Sequence, residues 1–299
     1  VYSVTALINF VVIVLMGYMF KKLFPKNTGE ILSTLIVNFT LPMTVFIGIS
    51  SSKVLLSDLY FILIGFLGCL LTFFGGKILV NLLNIEDKNV STVILLSFCG
   101  LNIGLFMYPL AEMLWGINAI TYFALYDLGN SIILYGIGKS VAEGKKGGFR
   151  ILDLLKFPPF IALILGLVFN LFGVTLPDLI MSPIKIIKDA NNFLIMFLVG
   201  FYFSVSTIKK HSKILTITLS TKYLIGLAIS LLTLLIPVRN QLERVSLFIS
   251  PMLPTAMMVI VYSIENNYDS ELASSIVSLT AIISFILVFL ASAMFNFGI

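Results

Sequence analysis

Runs of about twenty apolar residues recur along the whole chain, each long enough to cross a hydrocarbon layer of roughly 30 Å at about 1.5 Å per residue. Hydrophobic residues make up 59% of the 299 and charged residues 11%, so the apolar surface exceeds what one water-facing core could bury. The chain therefore reads as an all-α membrane protein with no stretch left for a soluble domain. Its net charge of +5 would suggest nucleic acid in a soluble protein. Here the basic residues sit in short connections and report orientation, so membrane lipid is the expected surrounding and no nucleic acid is. Cys69 and Cys99 both fall inside apolar runs, which argues against a disulfide framework or a zinc site and for small core residues. The first run has no basic segment before it and no small-residue cleavage pattern after it, so it is expected to stay as a span.

Ten spans are expected, over about 5–23, 31–49, 59–83, 90–115, 119–139, 152–172, 184–205, 214–236, 242–264 and 272–297. The odd-numbered connections carry Lys21, Lys22, Lys26, Lys88, Lys145, Lys146, Arg150, Lys209, Lys210 and Lys213, whereas the even ones carry Lys53, Lys185, Lys188, Arg239 and Arg244. Cytoplasmic loops hold the Lys and Arg excess, which puts the odd connections in the cytoplasm and both termini outside a multi-pass cell-membrane protein. The most hydrophilic connection, 142–150, divides the spans five and five. An odd number per half makes the second half enter the membrane upside down, giving an inverted repeat: 1–141, a cytoplasmic linker at 142–150, and 151–299.

Special residues fall at matching places in the two halves. The second span holds Asn38 and Pro42, and the seventh holds Asp189, Asn191 and Asn192. In the fourth, the stretch from Gly100 to Pro109 combines Gly100, Asn102, Gly104 and Pro109; in the ninth, Ser250, Pro251, Pro254 and Thr255 stand together. Irregular backbone at membrane depth is tolerated only around a protein-lined cavity, and interrupted segments in corresponding places are the best sequence pointer to a transporter site. The helix-breaking positions are therefore Gly104, Pro109, Pro251 and Pro254. The plainer alternative is a simple kink at each proline.

These residues resemble the auxin efflux carrier family, which includes bacterial malate and malonate permeases. The resemblance rests on Asn38-Phe39-Thr40-Leu41-Pro42, on Asn102, Gly104 and Pro109, on Asp127-Leu128-Gly129-Asn130, on Pro159, Ala162, Gly166 and Leu167 with Leu176-Pro177, on Asp189-Ala190 with Gly200, and on Pro254-Thr255-Ala256 followed by Tyr268 and Glu271-Leu272-Ala273. It runs over essentially the full chain. It implies two inverted five-helix repeats whose broken fourth and ninth helices cross, and elevator-like alternating access in which spans three to five and eight to ten move against spans one, two, six and seven. Met107 stands where the family usually has glycine, and its bulk is expected to narrow the pocket or change its apolar lining.

Where a helix is broken, the new N-terminus offers free N–H donors and a partial positive charge that can hold a carboxylate without a basic side chain. Asn102 is expected to bind the substrate directly, since its amide both donates and accepts. Asn130, Ser250, Pro254 and Thr255 are expected to join it, with Asn38 on the opposing wall. The plainer reading of each polar group is a bond to a neighbouring helix, worth about 0.6 kcal/mol. Asp127 and Lys222 fall near mid-membrane, where a charge costs about 2.5 to 3.5 kcal/mol. They are read as a coupling element or a static ion pair. Glu112 and Asp58 lie nearer span ends, where water is expected to reach them.

The expected function is a secondary transporter for a small organic anion, with no cofactor and with coupling to a proton or sodium left open. A homodimer and a monomer both stay open. A ligand-binding membrane sensor using the same fold without net transport is the alternative. Enzymatic readings fare worse: Tyr126-Asp127 lacks a Gly-x-Gly-Asp partner, the lone His211 cannot build a His-Glu-x-x-His site, and Gly138-Lys139-Ser140 lacks the earlier glycine of a phosphate loop.

Overall fold

The computed structural model describes residues 2–25, 27–51, 55–144, 158–202 and 211–295. Most of the 142–150 connection, and Lys209 and Lys210 of the later basic loop, lie outside the described residues. Helix α1 (Tyr2–Phe20) is followed by α2 (Thr28–Leu35), which passes through one wide turn into α3 (Leu41–Ser50). Then come α4 (Tyr60–Leu83), α5 (Lys88–Ser97), α6 (Tyr108–Trp115), α7 (Ala119–Ile132) and α8 (Lys139–Glu143). The second half holds α9 (Pro158–Leu171), α10 (Asp178–Tyr202), α11 (Ser212–Thr233), α12 (Gln241–Ile249), α13 (Met258–Glu265) and α14 (Ser270–Met294).

The outside of this bundle is greasier than its inside. On α4 the large side chains Leu63, Leu67, Leu71, Phe74, Ile78 and Leu82 form an exposed stripe at helical spacing, while the buried face carries Gly65, Gly68, Cys69, Thr72 and Gly76. Helix α14 repeats the pattern, exposing Ile282, Ile286 and Leu290 and burying Ser275, Ser278, Thr280 and Ser284. That inversion is what lipid demands: tails solvate the large apolar groups, and small residues let helices approach closely. Among the described residues, four helices are long and apolar enough to cross a membrane, Ile31–Ser50, Leu56–Leu83, Ser212–Thr233 and Ser270–Met294. The protein is thus an all-helical membrane protein, and Cys69 and Cys99 are both free and buried.

Three helix pairs carry the closest packing: α1 on α10, α3 on α9 and α4 on α7. Glycines set two of these contacts. A Cβ on Gly200 would stand 1.9 Å from the Val14 carbonyl oxygen, and one on Gly129 would stand 2.2 Å from that of Ile62. Only a bare backbone fits at such separations.

The breaks lie where the sequence suggested, but in the first half not at the residues expected to make them. Helix α5 ends at Ser97, the chain is extended at Gly100 to Asn102, and regular structure resumes at Ile103. Gly104 and Pro109 therefore belong to the second half-helix, Ile103–Trp115, rather than to the interruption. Pro109 is accommodated by a wide turn, Ile103–Met107, whose closing bond runs from the Tyr108 N–H to the Ile103 carbonyl. Pro42 sits behind an equivalent turn, Ile36–Thr40, closed by the Leu41 N–H on the Ile36 carbonyl. Widening the helix just ahead of a proline relieves the clash with the carbonyl four residues back. In the second half α12 ends at Ile249, Pro251 lies in a tight turn over Ser250–Met252, and Pro254 lies in the extended segment before α13.

Two acids expected to be solvated are paired with basic residues, and one of them is buried. Asp58 is 1% exposed, accepts the Leu55 N–H at 2.8 Å, and pairs with Arg239. The same guanidinium lies 2.6 Å from Glu243. Glu112 pairs with Lys188 at 2.5 Å and accepts a hydrogen bond from Asn192 at 3.2 Å. In each case a basic residue remote in sequence covers a carboxylate that sits within a turn of a helix end.

Candidate functional site

The two interruptions are bonded to each other through the main chain. Asn102 N–H donates to the Pro254 carbonyl at 2.7 Å, Ala256 N–H donates to the Gly100 carbonyl at 3.2 Å, and Leu101 and Thr255 face each other as an antiparallel bridge. Each extended segment thereby satisfies peptide groups that would be orphaned at membrane depth.

Side chains from α7 in the first half and from α14 in the second secure the joint. Asn130 on α7 accepts the Leu101 N–H at 2.9 Å and donates to the Leu101 carbonyl at 3.0 Å. On α14, the Thr280 hydroxyl accepts the Thr255 N–H at 3.1 Å and Ser284 donates to the Met252 carbonyl at 2.7 Å. The open C-terminal end of α5 is covered as well, since the Ser97 carbonyl accepts from both Thr255 Oγ1 and Lys222 Nζ, each at 3.2 Å. A cation there complements the partial negative charge of a helix C-terminus.

Beside the joint lies a cavity of about 120 Å³. One wall is Ser33, Val37 and Leu41 of the second span with Pro159 of α9. The other is the segment Leu101 to Leu105 with Tyr108, the face of α7 and its continuation carrying Asp127, Asn130, Ser131, Leu134 and Tyr135, and Met257 with Met258 and Val261 of α13. The walls are mostly aliphatic, with polar groups concentrated around Asn102 and Asp127.

Asn102 is 7% exposed and lines this cavity. Its backbone is committed to Pro254, while its carboxamide has no hydrogen-bond partner among the described residues. Ile103, Gly104 and Leu105, the first residues of the half-helix, also line the cavity, and first-turn N–H groups have no partner within their own helix. The arrangement offers amide donors and the positive end of a helix to an anionic or polar group.

The other expected ligands are placed differently. Asn130 reaches the cavity, but both its N–H bonds are spent on Leu101 and on Asp127 Oδ1 at 2.8 Å, and its oxygen takes Leu101 N–H and Cys69 Sγ. A carboxamide so engaged has no donor left for a ligand. Ser250 donates to the Ser246 carbonyl at 2.6 Å, and Thr255 to Ser97; both are fully buried and absent from the cavity wall. Pro254 contributes its carbonyl to Asn102, not to the cavity. Asn38 is exposed and bonded to the Thr34 carbonyl of its own helix. Met107 is buried in the apolar core rather than on the cavity wall, so it does not narrow the pocket.

Asp127 and Lys222 form no ion pair with each other. The ammonium is on the Ser97 carbonyl and 5.8 Å from the Phe98 ring centroid, whereas the carboxylate accepts Tyr108 Oη at 3.0 Å and Asn130 Nδ2. Tyr108, Ser131 and Tyr135 were not anticipated at the site. Ser131 and Tyr135 follow Asp127 at intervals of four, a spacing that puts all three on one face of α7 and its continuation, and that periodicity was available in the sequence.

A family described as membrane transport protein matches residues 147–291. An uncharacterized transporter of Methanocaldococcus jannaschii is 28% identical over 294 residues, covering 93% of this chain and 94% of that protein. The second half of the chain thus matches the membrane transport protein family. A second uncharacterized transporter of this kind, from Methanothermobacter thermautotrophicus, is 25% identical over 294 residues and covers 95% of each chain. These matches bear out the resemblance to the auxin efflux carrier family drawn from the signature residues.

Proposed function

We propose that the protein is a secondary transporter, not an enzyme, that carries a small organic anion across the cell membrane, with the substrate carboxylate at the junction of the two helix breaks. The observation that carries this reading is the unpartnered, nearly buried carboxamide of Asn102 in a cavity beside two interruptions bonded to each other. Asn102 and the first-turn N–H groups of Ile103 to Leu105 are the proposed ligands of the carboxylate.

The ten-span inverted repeat, with halves 1–141 and 151–299 and crossed fourth and ninth helices, is supported by the packing. Under a repeat that exchanges spans one with six and two with seven, the α1–α10 contact maps onto the α9–α3 contact, and both are present. The clamp on the first break by α7 likewise corresponds to the clamp on the second by α14. The cavity lies between spans two and six on one side and spans four, five and nine on the other. That supports an elevator in which spans three to five and eight to ten slide along spans one, two, six and seven. The placement of both termini outside and of 142–150 in the cytoplasm rests on the Lys and Arg distribution.

Counterflow of radiolabelled carboxylates in proteoliposomes tests the reading. Exchange of labelled against unlabelled pyruvate, lactate or malonate above protein-free vesicles is the expected result. Binding without flux would overturn it in favour of a membrane sensor.

A further inference from the structure

Asp127 puts a carboxylate on the wall of a cavity proposed to receive another. Its Oδ2 lies 3.9 Å from where a Cβ on Gly104 would stand, at the first turn of the half-helix that offers its positive end to the substrate. Among the described residues, the groups that face Asp127 are neutral. Tyr108 of α6 and Asn130 of α7 donate to it, Tyr135 lines the same cavity, and Cys69 of α4 bonds the oxygen of Asn130. The cavity residues from the second span, Ser33, Val37 and Leu41, from α9, Pro159, and from α13, Met258 and Val261, carry no charge. Lys222 of α11 is committed to Ser97.

A helix N-terminus supplies about half an elementary charge, too little to offset a resident carboxylate and an incoming one together. Two carboxylates sharing one site resolve this by holding a single proton between them. Building on the carboxylate reading above, we propose that Asp127 is the site of a co-transported proton, so that each monocarboxylate crosses with one H⁺.

The balance is simple. On the entry side an Asp127 oxygen takes a proton from water, forming an O–H that can donate to the substrate carboxylate; on the exit side that O–H breaks, the proton returns to water, and the anion leaves. Net charge movement for a monoanion is zero. Transport should therefore respond to a pH gradient and ignore membrane potential.

The full-length protein in proteoliposomes, with pyruvate as probe and protein-free vesicles subtracted, provides the test. An interior one pH unit more alkaline is expected to drive about tenfold accumulation, and a potassium–valinomycin potential of either sign is expected to change uptake by less than twofold. Asp127→Asn is expected to reduce the inside-to-outside ratio to about one. Pyruvate counterflow in the wild type that follows a sodium gradient or the membrane potential, and is indifferent to pH, would overturn the proton site while leaving the transporter reading intact. Accumulation by Asp127→Asn equal to that of the wild type would overturn it too. Absence of counterflow for pyruvate, lactate and malonate alike would overturn the carboxylate reading on which it rests.

Discussion

Asn102 and Pro254 are joined N–H to carbonyl at 2.7 Å, so the side chain of Asn102 takes no part in holding the two breaks together. Asn102→Ala consequently removes a carboxamide from the cavity without undoing the joint. A hydrogen bond to a charged group is worth about 1.5 to 3 kcal/mol, and the substitution is expected to weaken carboxylate binding roughly ten- to hundredfold. Asn81→Ala, at an exposed position near the end of α4, is expected to have no effect. Stabilisation of the purified protein against heating by pyruvate or malonate reads the difference, and equal responses of the two variants would remove Asn102 from the site.

Asn130 gives the opposite pattern. Its loss leaves the Leu101 N–H and carbonyl without the clamp, and a buried peptide group left unpaired costs about 1 to 3 kcal/mol. Asn130→Ala is expected to lower the unfolding temperature in detergent. Asn130→Asp, which removes both donors and sets a second carboxylate beside Asp127, is expected to lower it at least as far. An unchanged unfolding temperature for both would show that the clamp is dispensable.

Glu112 and Lys188 tie α6 to α10 at 2.5 Å, with each side chain 17% exposed. In the proposed elevator these helices belong to opposite moving parts, so the pair must open in every cycle. At about 1 kcal/mol for a partly screened ion pair, Glu112→Gln is expected to speed exchange out of this conformation about fivefold. Lys188→Met should act similarly, and the double variant should add little further. Stopped-flow exchange rates measure this, and unchanged rates for both single variants would show that the pair does not hold the two parts together.

Arg239 bonds two acids, Asp58 and Glu243, each with a side chain 1% exposed. Removing one partner of a buried pair costs about 3 to 5 kcal/mol; because the guanidinium is 41% exposed, the lower end is expected for Arg239→Ala. Arg239→Lys retains the charge but cannot bond both acids through a planar fork. It should recover only part of the loss in thermal unfolding, and full recovery would reduce the bridge to simple charge balance.

The interruptions themselves were legible because glycine, proline and asparagine inside an apolar run are costly in lipid and need a reason. What each polar residue does there was not legible. Asn102 and Asn130 are the same residue type in similar company, and only the proximity of Leu101 to α7 makes one a clamp and leaves the other open. Thr255 and Ser250 look like ligands in sequence, yet each is absorbed by a nearby carbonyl, Ser97 and Ser246. The burial of Asp58 and the pairing of Glu112 depend on Arg239 and Lys188, partners from the other half of the chain, whose approach no local pattern encodes. Pro109 misled for a different reason: a wide turn absorbs it inside a helix, while the true break lies at Gly100 to Asn102, where backbone pairing compensates for the lost helical bonds.

That pairing consists of peptide groups. Because every residue except proline carries the same N–H and carbonyl, the bonds between 100–102 and 254–256 ask little of the side chains that those two segments themselves carry. Selection can exchange the cavity-lining residues other than Asn130, and with them the cargo, while the frame that presents them stays in place, so a change of cargo within such a lineage would need only a few substitutions and no new architecture.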